Sequence, residues 1–380
     1  MNGPAADVHD PEATRALIAR LAADLRFAVV RVAAVPPETP RIGAYDAWLD
    51  AGHHADLDWL VRDRDLRADP RRKLRSARSA IVVAVEHHHA RPPDPGGRTG
   101  SVARYAWGRD YHNLVGKRMK KLRARLREHG LQAWGTPDGA PILERAWAEA
   151  AGVGFVGKNT VLFRPARTSW LFLGVVFIDR EATPDAPLEA DHCGRCRRCI
   201  TGCPTDAFVA DRVLDARRCV SYWTIEARGL APRALRPGFG RWLFGCDVCQ
   251  EVCPHDAAPP TPDEDDLLPR NAWLDCDALI LAADADLEAR FVGTPLFRPG
   301  AVGLKRNALI VLGNLGDDGA VPTARVALAH PAPVVRAAAV WALTRLGAPP
   351  LAHTDDDPGV RDELDWARSV AGPQASAIGP

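Results

Sequence analysis

The sequence predicts a chain of three parts: a mixed α/β part, a short cysteine-rich part and a part built from short paired helices. Nearly continuous apolar runs at residues 80–85 and 169–178 indicate buried strands lying among segments of helical periodicity. Eight of the nine cysteines fall between residues 193 and 253. The pattern of residues 305–316 recurs at 336–347. We therefore expect parts at about residues 1–185, 186–270 and 271–380.

The first part should alternate helices and strands around one sheet of several strands. Its predicted elements are, in chain order, helix 11–26, strand 27–35, helix 43–61, strand 80–85, a helix around 115–126, a helix from 141 to before 152, and strand 169–178. The helix around 115–126 carries Val115, Met119, Leu122 and Leu126 at steps of three and four, opposite a basic face. This pattern is typical of an amphipathic surface helix.

Two motifs in this part resemble functional signatures but fit other structures better. Residues 152–157 match G-x-G-x-x-G and precede Lys158, yet a predicted helix comes before them and a predicted strand after them. Dinucleotide-binding and phosphate-binding loops need the reverse order, so we predict neither. The histidines at 53–54 and 87–89 lack a paired metal motif, and we expect solvated or loosely packed loops there.

The cysteine spacing predicts two [4Fe–4S] clusters in a ferredoxin-like domain. Residues 193–204 form a C-x2-C-x2-C-x3-C-P run, and a second set ends in Cys253 and Pro254. In such runs the cysteine before proline ligates the other cluster. The predicted ligands are Cys193, Cys196, Cys199 and Cys253 for one cluster, and Cys203, Cys219, Cys246 and Cys249 for the other.

Zinc and disulfides are the alternatives for these cysteines. A zinc site favours two C-x2-C pairs that lie farther apart than these, and disulfides need an oxidising compartment. The ninth cysteine, Cys276, lies outside both sets and is expected to be a buried thiol.

Charge and hydropathy indicate a soluble protein with local basic patches. The 380 residues carry a formal net charge of only +1, but Lys and Arg are concentrated between Arg62 and Arg78 and between Lys117 and Arg127. Such patches can bind phosphate backbones. No apolar run is long enough to span a membrane, and the first seven residues lack the features of a signal peptide. We expect a cytoplasmic protein with no membrane contact.

The last part is predicted to be a short helical solenoid. Besides the repeat at 305–316 and 336–347, the segment 333–336 is echoed at 358–361. Paired helices of this kind resemble HEAT-like repeats, which stack and present a binding surface.

Taken together, these segments resemble the epoxyqueuosine reductases of tRNA modification. The matching stretches are residues 103–112 (ARYAWGRDYH), 140–147 (APILERAW), 152–160 (GVGFVGKNT), 193–204, 214–226 and 245–254 (GCDVCQEVCP). The resemblance covers nearly the whole chain after about residue 40, and the repeat tail fits it as well. The cluster motifs alone are generic, whereas the whole set is specific.

The resemblance implies a reaction and its cofactors. A cobalamin would lie in the α/β part, and electrons would pass singly through the two [4Fe–4S] clusters to the cobalt. The epoxide of epoxyqueuosine at the wobble position of tRNA would be reduced to the alkene of queuosine, with a carboxylic acid as proton donor. No Asp-x-His-x-x-Gly motif is present, so no histidine of the protein is expected to ligate the cobalt.

The resemblance also assigns site residues. The proton donor falls on Asp138, although by itself the segment 135–139 reads as a turn. The cobalamin-binding residues it implies are Arg62, Tyr105, Asp138, Lys158, Asn159, Leu162, Ser221 and Asp247.

The implied partners are a tRNA with a queuosine-type anticodon stem-loop and an external electron donor, and we expect a monomer. Candidate contacts to the tRNA backbone are Arg71, Arg72, Lys73, the helix from Lys117, Arg336 and Arg361. Two other functions stay open from the sequence: a related cobalamin and iron–sulfur reductase of a small molecule, similar to a reductive dehalogenase, and an electron carrier without an active site.

Overall fold

The computed structural model describes residues 10–138, 140–188 and 192–371. Gly139, which closes the predicted turn, and the first seven residues, on which the signal-peptide expectation rests, lie outside them. The elements of the α/β part are α1 (Pro11–Ala22), β1 (Val29–Ala34), α2 (Ile42–Asp50), α3 (Asp58–Arg62), α4 (Arg64–Ala68), β2 (Ser79–Glu86), β3 (Thr99–Val102), α5 (Tyr111–Glu128), β4 (Ala133–Trp134), α6 (Glu144–Ala150), β5 (Phe155–Val156), β6 (Leu162–Phe163) and β7 (Leu171–Ile178).

The remaining elements are short in the cysteine-rich stretch and longer toward the C-terminus. They are α7 (Arg198–Thr201), β8 (Phe208–Ala210), β9 (Val213–Leu214), α8 (Val220–Ile225), β10 (Trp242–Phe244), α9 (Val248–Glu251), β11 (Trp273–Asp275), α10 (Cys276–Leu281), α11 (Asp284–Phe291), α12 (Gly300–Leu315), α13 (Val321–Val326), α14 (Pro333–Arg345) and α15 (Pro358–Ala371). None of the helices in the described ranges combines the length and apolarity needed to cross a membrane.

A four-stranded antiparallel sheet of order β1-β2-β7-β4 forms the centre of the α/β part. Every residue of β2 is buried, as its apolar run predicts, and β2 pairs with β7 over eight residues from Ser79 to Glu86. Helix α5 packs on the sheet through Val115, Met119, Leu122 and Leu126, so the predicted apolar face is confirmed. On the other face, Trp147 of α6 meets Phe177 of β7 edge-on, with ring centroids 5.1 Å apart.

The predicted helix at residues 43–61 is wrong as a single element. Helix α2 ends at Asp50, and α3 begins only at Asp58. Between them the backbone adopts positive φ at Gly52 (66°) and Ala55 (55°), which no right-handed helix can contain.

A three-stranded sheet joins the α/β, cysteine-rich and C-terminal regions. In its order, β10-β3-β11, the central strand comes from the α/β region. The cysteine-rich region supplies the edge strand β10, and the C-terminal region supplies the opposite edge strand β11. Strand β10 runs parallel to β3, and β11 runs antiparallel to it. This sheet places the cysteine-rich loops beside the α/β region.

The acidic stretch 263–266, which follows a proline-rich segment, is bound to the α/β part. Glu264 pairs with Arg118 of α5, and the Arg109 N–H donates to the Asp266 carbonyl at 2.7 Å. Leu267 is buried in the same core as α5. The prolines before this stretch turn the chain but do not release it from the fold.

The C-terminal helices stack as the repeat predicts. Helix α12 packs on α14, and α14 packs on α15. At the α12–α14 crossing Gly313 touches Trp341, and a Cβ atom at Gly313 would lie 2.6 Å from that indole ring. Cys276 is fully buried at the start of α10, as expected for a structural thiol.

Candidate active site

A cleft lies where the start of β7, the start of α5, the start of α6 and the loop around Asp247 meet. One cavity of about 360 Å³ there is lined by residues that include Tyr105, Tyr111, Asp138, Trp170, Phe172 and Asp247. A second cavity of about 370 Å³ lies against α2 and α3. Both cavities are lined by Asp138, Glu144 and Arg145, so these three residues stand between them.

Asp138 presents its carboxylate to the cleft from a strained turn. Its backbone has φ 44°, a left-handed conformation that Asp adopts more readily than most residues. More than half of its side chain is exposed. The Tyr111 hydroxyl donates a hydrogen bond to Oδ2, and His112 Nε2 lies 3.6 Å from the same oxygen. Tyr111 is itself fixed, since its ring stacks on Phe172 at 4.3 Å.

Glu144 and Arg145 begin α6 and differ in whether their side chains have hydrogen-bond partners. Burial raises the pKa of Glu144 to about 8, and the charge of Asp138 contributes to this rise. Its Oε1 is buried and lacks a hydrogen-bond partner within the described residues. Glu144 is therefore mostly uncharged at neutral pH. Arg145 donates to the Thr160 carbonyl at 2.5 Å, which ties the start of α6 to the loop after β5.

Asp247 forms the floor of the cleft on the cysteine-rich side. The residue is buried, and burial raises the pKa of its carboxyl to about 6 against the lowering effect of Arg104. The Arg104 backbone N–H donates to its Oδ2 at 2.8 Å, and Arg91 Nη2 approaches to 3.4 Å. The guanidinium of Arg104 also lies over Trp170, 4.7 Å from the ring centroid. These contacts hold the loop between Cys246 and Cys249 against the cleft wall.

The predicted solvated loop at His87–His89 is wrong, because these rings are packed into the wall of the cleft. His87 and His89 are buried, and His87 stacks on Phe172 at 4.2 Å and meets Trp170 edge-on at 5.9 Å. Burial lowers the pKa of His87 to about 3, so its imidazole stays neutral. Its Nδ1 is buried without a hydrogen-bond partner in the described ranges.

Four cysteines surround one small cavity beside the cleft. A cavity of about 40 Å³ is lined by all four predicted ligands of the first cluster, Cys193, Cys196, Cys199 and Cys253. Burial raises the pKa of the Cys253 thiol to about 11, and the charges of Asp256, Cys199 and Cys193 add to this rise. Cys253 thus faces the first run of cysteines although it follows Cys249 in sequence.

The other four cysteines form a second group. Burial raises the pKa of Cys249 well above its ordinary value, and Cys246, Cys219 and Cys203 add to it. The Ala207 N–H points at Cys203 Sγ from 3.3 Å, as expected for a sulfur that carries negative charge. Within the described ranges, no three His, Cys, Asp or Glu side chains are spaced to share a single metal ion.

The residues present fit both kinds of cofactor. Each thiol group has four sulfurs on facing loops, which is the donor set of a [4Fe–4S] cluster. The unpartnered His87 Nδ1 and Glu144 Oε1 belong to residues that line the cleft, beside Trp170 and Phe172. A large macrocycle with amide side arms, such as cobalamin, offers hydrogen-bonding groups for those two atoms.

The predicted cobalamin-binding residues are only partly brought together. Tyr105, Asp138 and Asp247 line the cleft. Lys158 and Asn159 instead reach the cysteine loops, where they donate to the Gly194 and Cys249 carbonyls, each at 2.9 Å. The other three lie elsewhere: Leu162 packs in the core, Arg62 is exposed at the end of α3, and the Ser221 hydroxyl bonds to Cys219.

The sequence interpretation missed several residues of the site. Tyr111, His112, Glu144 and Arg145 stand in the segments 103–112 and 140–147, which carry the family resemblance, but no single-residue pattern marked them as functional. Trp170 lies in the apolar run 169–178, which predicts a strand and gives no sign of a functional role.

Three family models match the chain. Residues 67–136 match the model described as "Epoxyqueuosine reductase QueG, DUF1730". Residues 192–256 match a 4Fe-4S double cluster binding domain, and residues 301–367 match HEAT repeats. These matches confirm the predicted pair of clusters and the predicted HEAT-like fold of the last part.

Several known proteins that are similar to the chain are named epoxyqueuosine reductase. An epoxyqueuosine reductase of Vibrio cholerae is 37% identical over 284 residues, which are 71% of this chain and 75% of that protein. One from Synechococcus is 40% identical over 67% of this chain and 80% of its own length. A crystal structure of epoxyqueuosine reductase with an epoxyqueuosine-modified tRNA-Tyr stem loop is 25% identical, with a TM-score of 0.86, over 94% of this chain and 99% of that one.

Proposed function

Because this chain belongs to the epoxyqueuosine reductase family, we propose that it reduces epoxyqueuosine to queuosine at the wobble position of tRNA. The observation that carries the proposal is the meeting of three features at one cleft. These are an exposed carboxylate, two buried side-chain atoms of His87 and Glu144 that lack a hydrogen-bond partner within the described residues, and a loop that bears two of the eight clustered cysteines. A reductive dehalogenase-like function finds no comparable support, because the relatives that cover most of the chain are named epoxyqueuosine reductase.

The redox groups have defined places in this proposal. Cobalamin would be held in the cleft lined by Tyr105, Asp138 and Asp247, where it would supply the reducing chemistry for the epoxide, and the two [4Fe–4S] clusters would supply electrons one at a time. The first cluster is assigned to Cys193, Cys196, Cys199 and Cys253, and the second to Cys203, Cys219, Cys246 and Cys249. Asn159 bonds to the Cys249 carbonyl and Lys158 to the Gly194 carbonyl, so one loop steadies both groups.

Asp138 is assigned as the acid that protonates the departing oxygen. The Tyr111 hydroxyl fixes the position of its Oδ2, and the left-handed turn points the carboxylate into the cleft. A substrate base seated over the cleft would lie against this carboxyl group and exclude water from it. The neighbouring Glu144 is mostly uncharged at neutral pH. It therefore places little negative charge near the epoxide oxygen and does not repel it from the site.

Three lysines of α5 are assigned to the tRNA backbone. Lys117, Lys120 and Lys121 are exposed and form a stripe that starts two turns from the cleft. Phosphate contacts of this kind position an RNA, while the target base is splayed out of its stack into the pocket. Arg336 drops out of the predicted set, because Asp355 holds its guanidinium through two hydrogen bonds at 2.6 and 2.9 Å. Arg361 is exposed and stays a prediction.

The test is conversion of a purified substrate. Protein isolated without oxygen and supplied with cobalamin and a chemical reductant should convert epoxyqueuosine-tRNA to queuosine-tRNA, detected by mass spectrometry of digested nucleosides. Absence of conversion by protein that carries full iron and cobalt would refute the proposed reaction. The expectations of a monomer, a cytoplasmic location and an external electron donor stay predictions from the sequence.

Replacing Asp138 by Asn isolates the role of the acid. The variant should retain its iron, cobalt and tRNA affinity but lose about 10²-fold or more in turnover, since a general acid typically contributes that much. Asp286→Asn is the matched control, because Asp286 is exposed on α11. Turnover of Asp138→Asn equal to that of the control would reject Asp138 as the acid.

A further inference from the structure

The proposed reaction consumes more protons than one carboxyl group can hold. Reduction of an epoxide to an alkene takes up two electrons and two protons and releases the oxygen as water. One proton is bound as the first C–O bond breaks and leaves a hydroxyl group, and the other as the second C–O bond breaks and the alkene forms. Asp138 can donate only one proton at a time, so its carboxylate must be reprotonated in every turnover.

His112 is placed to return a proton to Asp138. His112 Nε2 lies 3.6 Å from Asp138 Oδ2, and His112 Nδ1 is 2.8 Å from Asp110 Oδ1. The Asp110 carboxylate accepts from Nδ1–H and thereby turns Nε2 toward Asp138. The same Asp110 oxygen accepts the His112 backbone N–H at 2.9 Å, because Asp110 caps the start of α5. The ring also stacks on Tyr111 at 4.2 Å, which further fixes its orientation.

The surroundings of His112 favour its protonated form and its exchange with water. The hydrogen bond to Asp110 raises the pKa of His112, and the charges of Asp110 and Asp138 raise it too, against burial and the positive charge of Arg298. Nearly half of the side chain is exposed, so the ring can regain a proton from solvent. Tyr111 cannot serve in this way, because burial and the Asp138 charge raise the pKa of its phenol far above neutrality.

We propose that His112, oriented by Asp110, returns a proton to Asp138 in each turnover, a role that rests on the function proposed above. The proton moves from His112 Nε2 to the Asp138 carboxylate after Asp138 has protonated the epoxide oxygen, and water then reprotonates Nε2. His112 does not touch the substrate and acts only through Asp138. The route from solvent to the departing oxygen is thus water, His112 and Asp138.

The pH dependence of turnover tests this role. His112→Gln keeps a polar side chain of similar size but cannot carry a proton, so its kcat should fall about 10- to 100-fold at pH 8, with a smaller loss near pH 6 where solvent recharges Asp138 directly. The KM for tRNA should not change. Asp110→Asn should shift the alkaline limb of the profile to lower pH without abolishing turnover. A loss confined to KM, or one that is the same at every pH, would overturn the proposal.

Chemical rescue separates proton supply from structure. His112→Ala should recover turnover when imidazole is added, whereas the wild-type enzyme and His129→Gln should not respond. His129 lies just past the other end of α5, and its ring bonds to the Arg125 carbonyl, so it is the matched control. Lack of rescue in protein that binds tRNA normally would count against the proposal. If the wild-type enzyme is inactive on epoxyqueuosine-tRNA, the proposed function fails. If the wild-type enzyme is active and the His112 variants turn over equally fast at every pH, only the role of His112 fails.

Discussion

Replacing Glu144 by Gln should change how the stability of the protein depends on pH. Burial raises the pKa of Glu144 to about 8 in the folded protein, whereas an unfolded chain has the ordinary value of 4.5. The folded state therefore holds this proton more tightly than the unfolded state. The resulting stabilisation is complete below about pH 4.5 and is lost as the pH rises through about 8.

The size of the effect follows from the same two values. Between them, each pH unit removes up to about 1.4 kcal/mol of unfolding free energy through this one carboxyl group. This change in unfolding free energy per pH unit is an upper limit, because Glu144 borders an open cleft that can admit water. A glutamine side chain cannot ionise, so Glu144→Gln should gain stability relative to wild type as the pH rises from about 5 to about 8, and the difference should level off above that range.

Thermal unfolding under anaerobic conditions at a series of pH values measures this difference. Loss of iron affects wild type and variant alike and cancels when the two curves are subtracted. Glu128→Gln removes an exposed carboxyl at the end of α5 and is the matched control, expected to follow wild type at every pH. A difference between Glu144→Gln and wild type that stays constant from about pH 5 to about pH 9 would refute a buried, protonated Glu144.

Two further predictions concern stability and cluster assembly. Arg306→Met should lower the unfolding free energy by about 3–6 kcal/mol, because the buried guanidinium donates to three main-chain carbonyls that would lose their partner. Arg325→Met, at an exposed position of α13, is its control, and equal denaturation midpoints would contradict this account. Cys253→Ala should lose about half of the bound iron and spare the cluster of Cys203, Cys219, Cys246 and Cys249, whereas Cys276→Ala should lose none. Loss of the signal of that second cluster instead would show that the two sets of cysteines are paired differently.

Local patterns predicted the elements that depend on nearby residues. The face of α5 through Val115 and Leu126 and the fully buried strand β2 both follow from periodicity alone. Cysteine spacing correctly predicted that Cys253 lies with the first group of cysteines. This prediction was possible because the C-x3-C-P turn is a local structure. The rejection of a nucleotide-binding loop at residues 152–157 is likewise explained locally, since β5 and β6 form a hairpin there.

Features that depend on distant contacts could not be predicted in this way. The burial of His87 is caused by Trp170 and Phe172, more than eighty residues later in the chain. The helix break at Gly52 looks the same in sequence as many glycines that helices tolerate. Asp138 reads as a turn residue, and only the folded arrangement shows that Tyr111 and His112 converge on it.

The repeat domain is better understood as a component of the active-site scaffold than as an RNA-binding appendage alone. Arg306 on α12 donates to the carbonyls of Trp223 and Ala227 at 2.6 Å, at the end of α8, the helix that follows Cys219. Asn307 beside it donates to the Thr224 and Leu243 carbonyls, so the same helix also holds β10. Since β10 leads directly into the loop of Cys246, α12 fixes both ends of the long gap in the second cysteine set. A contact that moved α12 would therefore reach the second cluster and the floor of the cleft through the backbone itself.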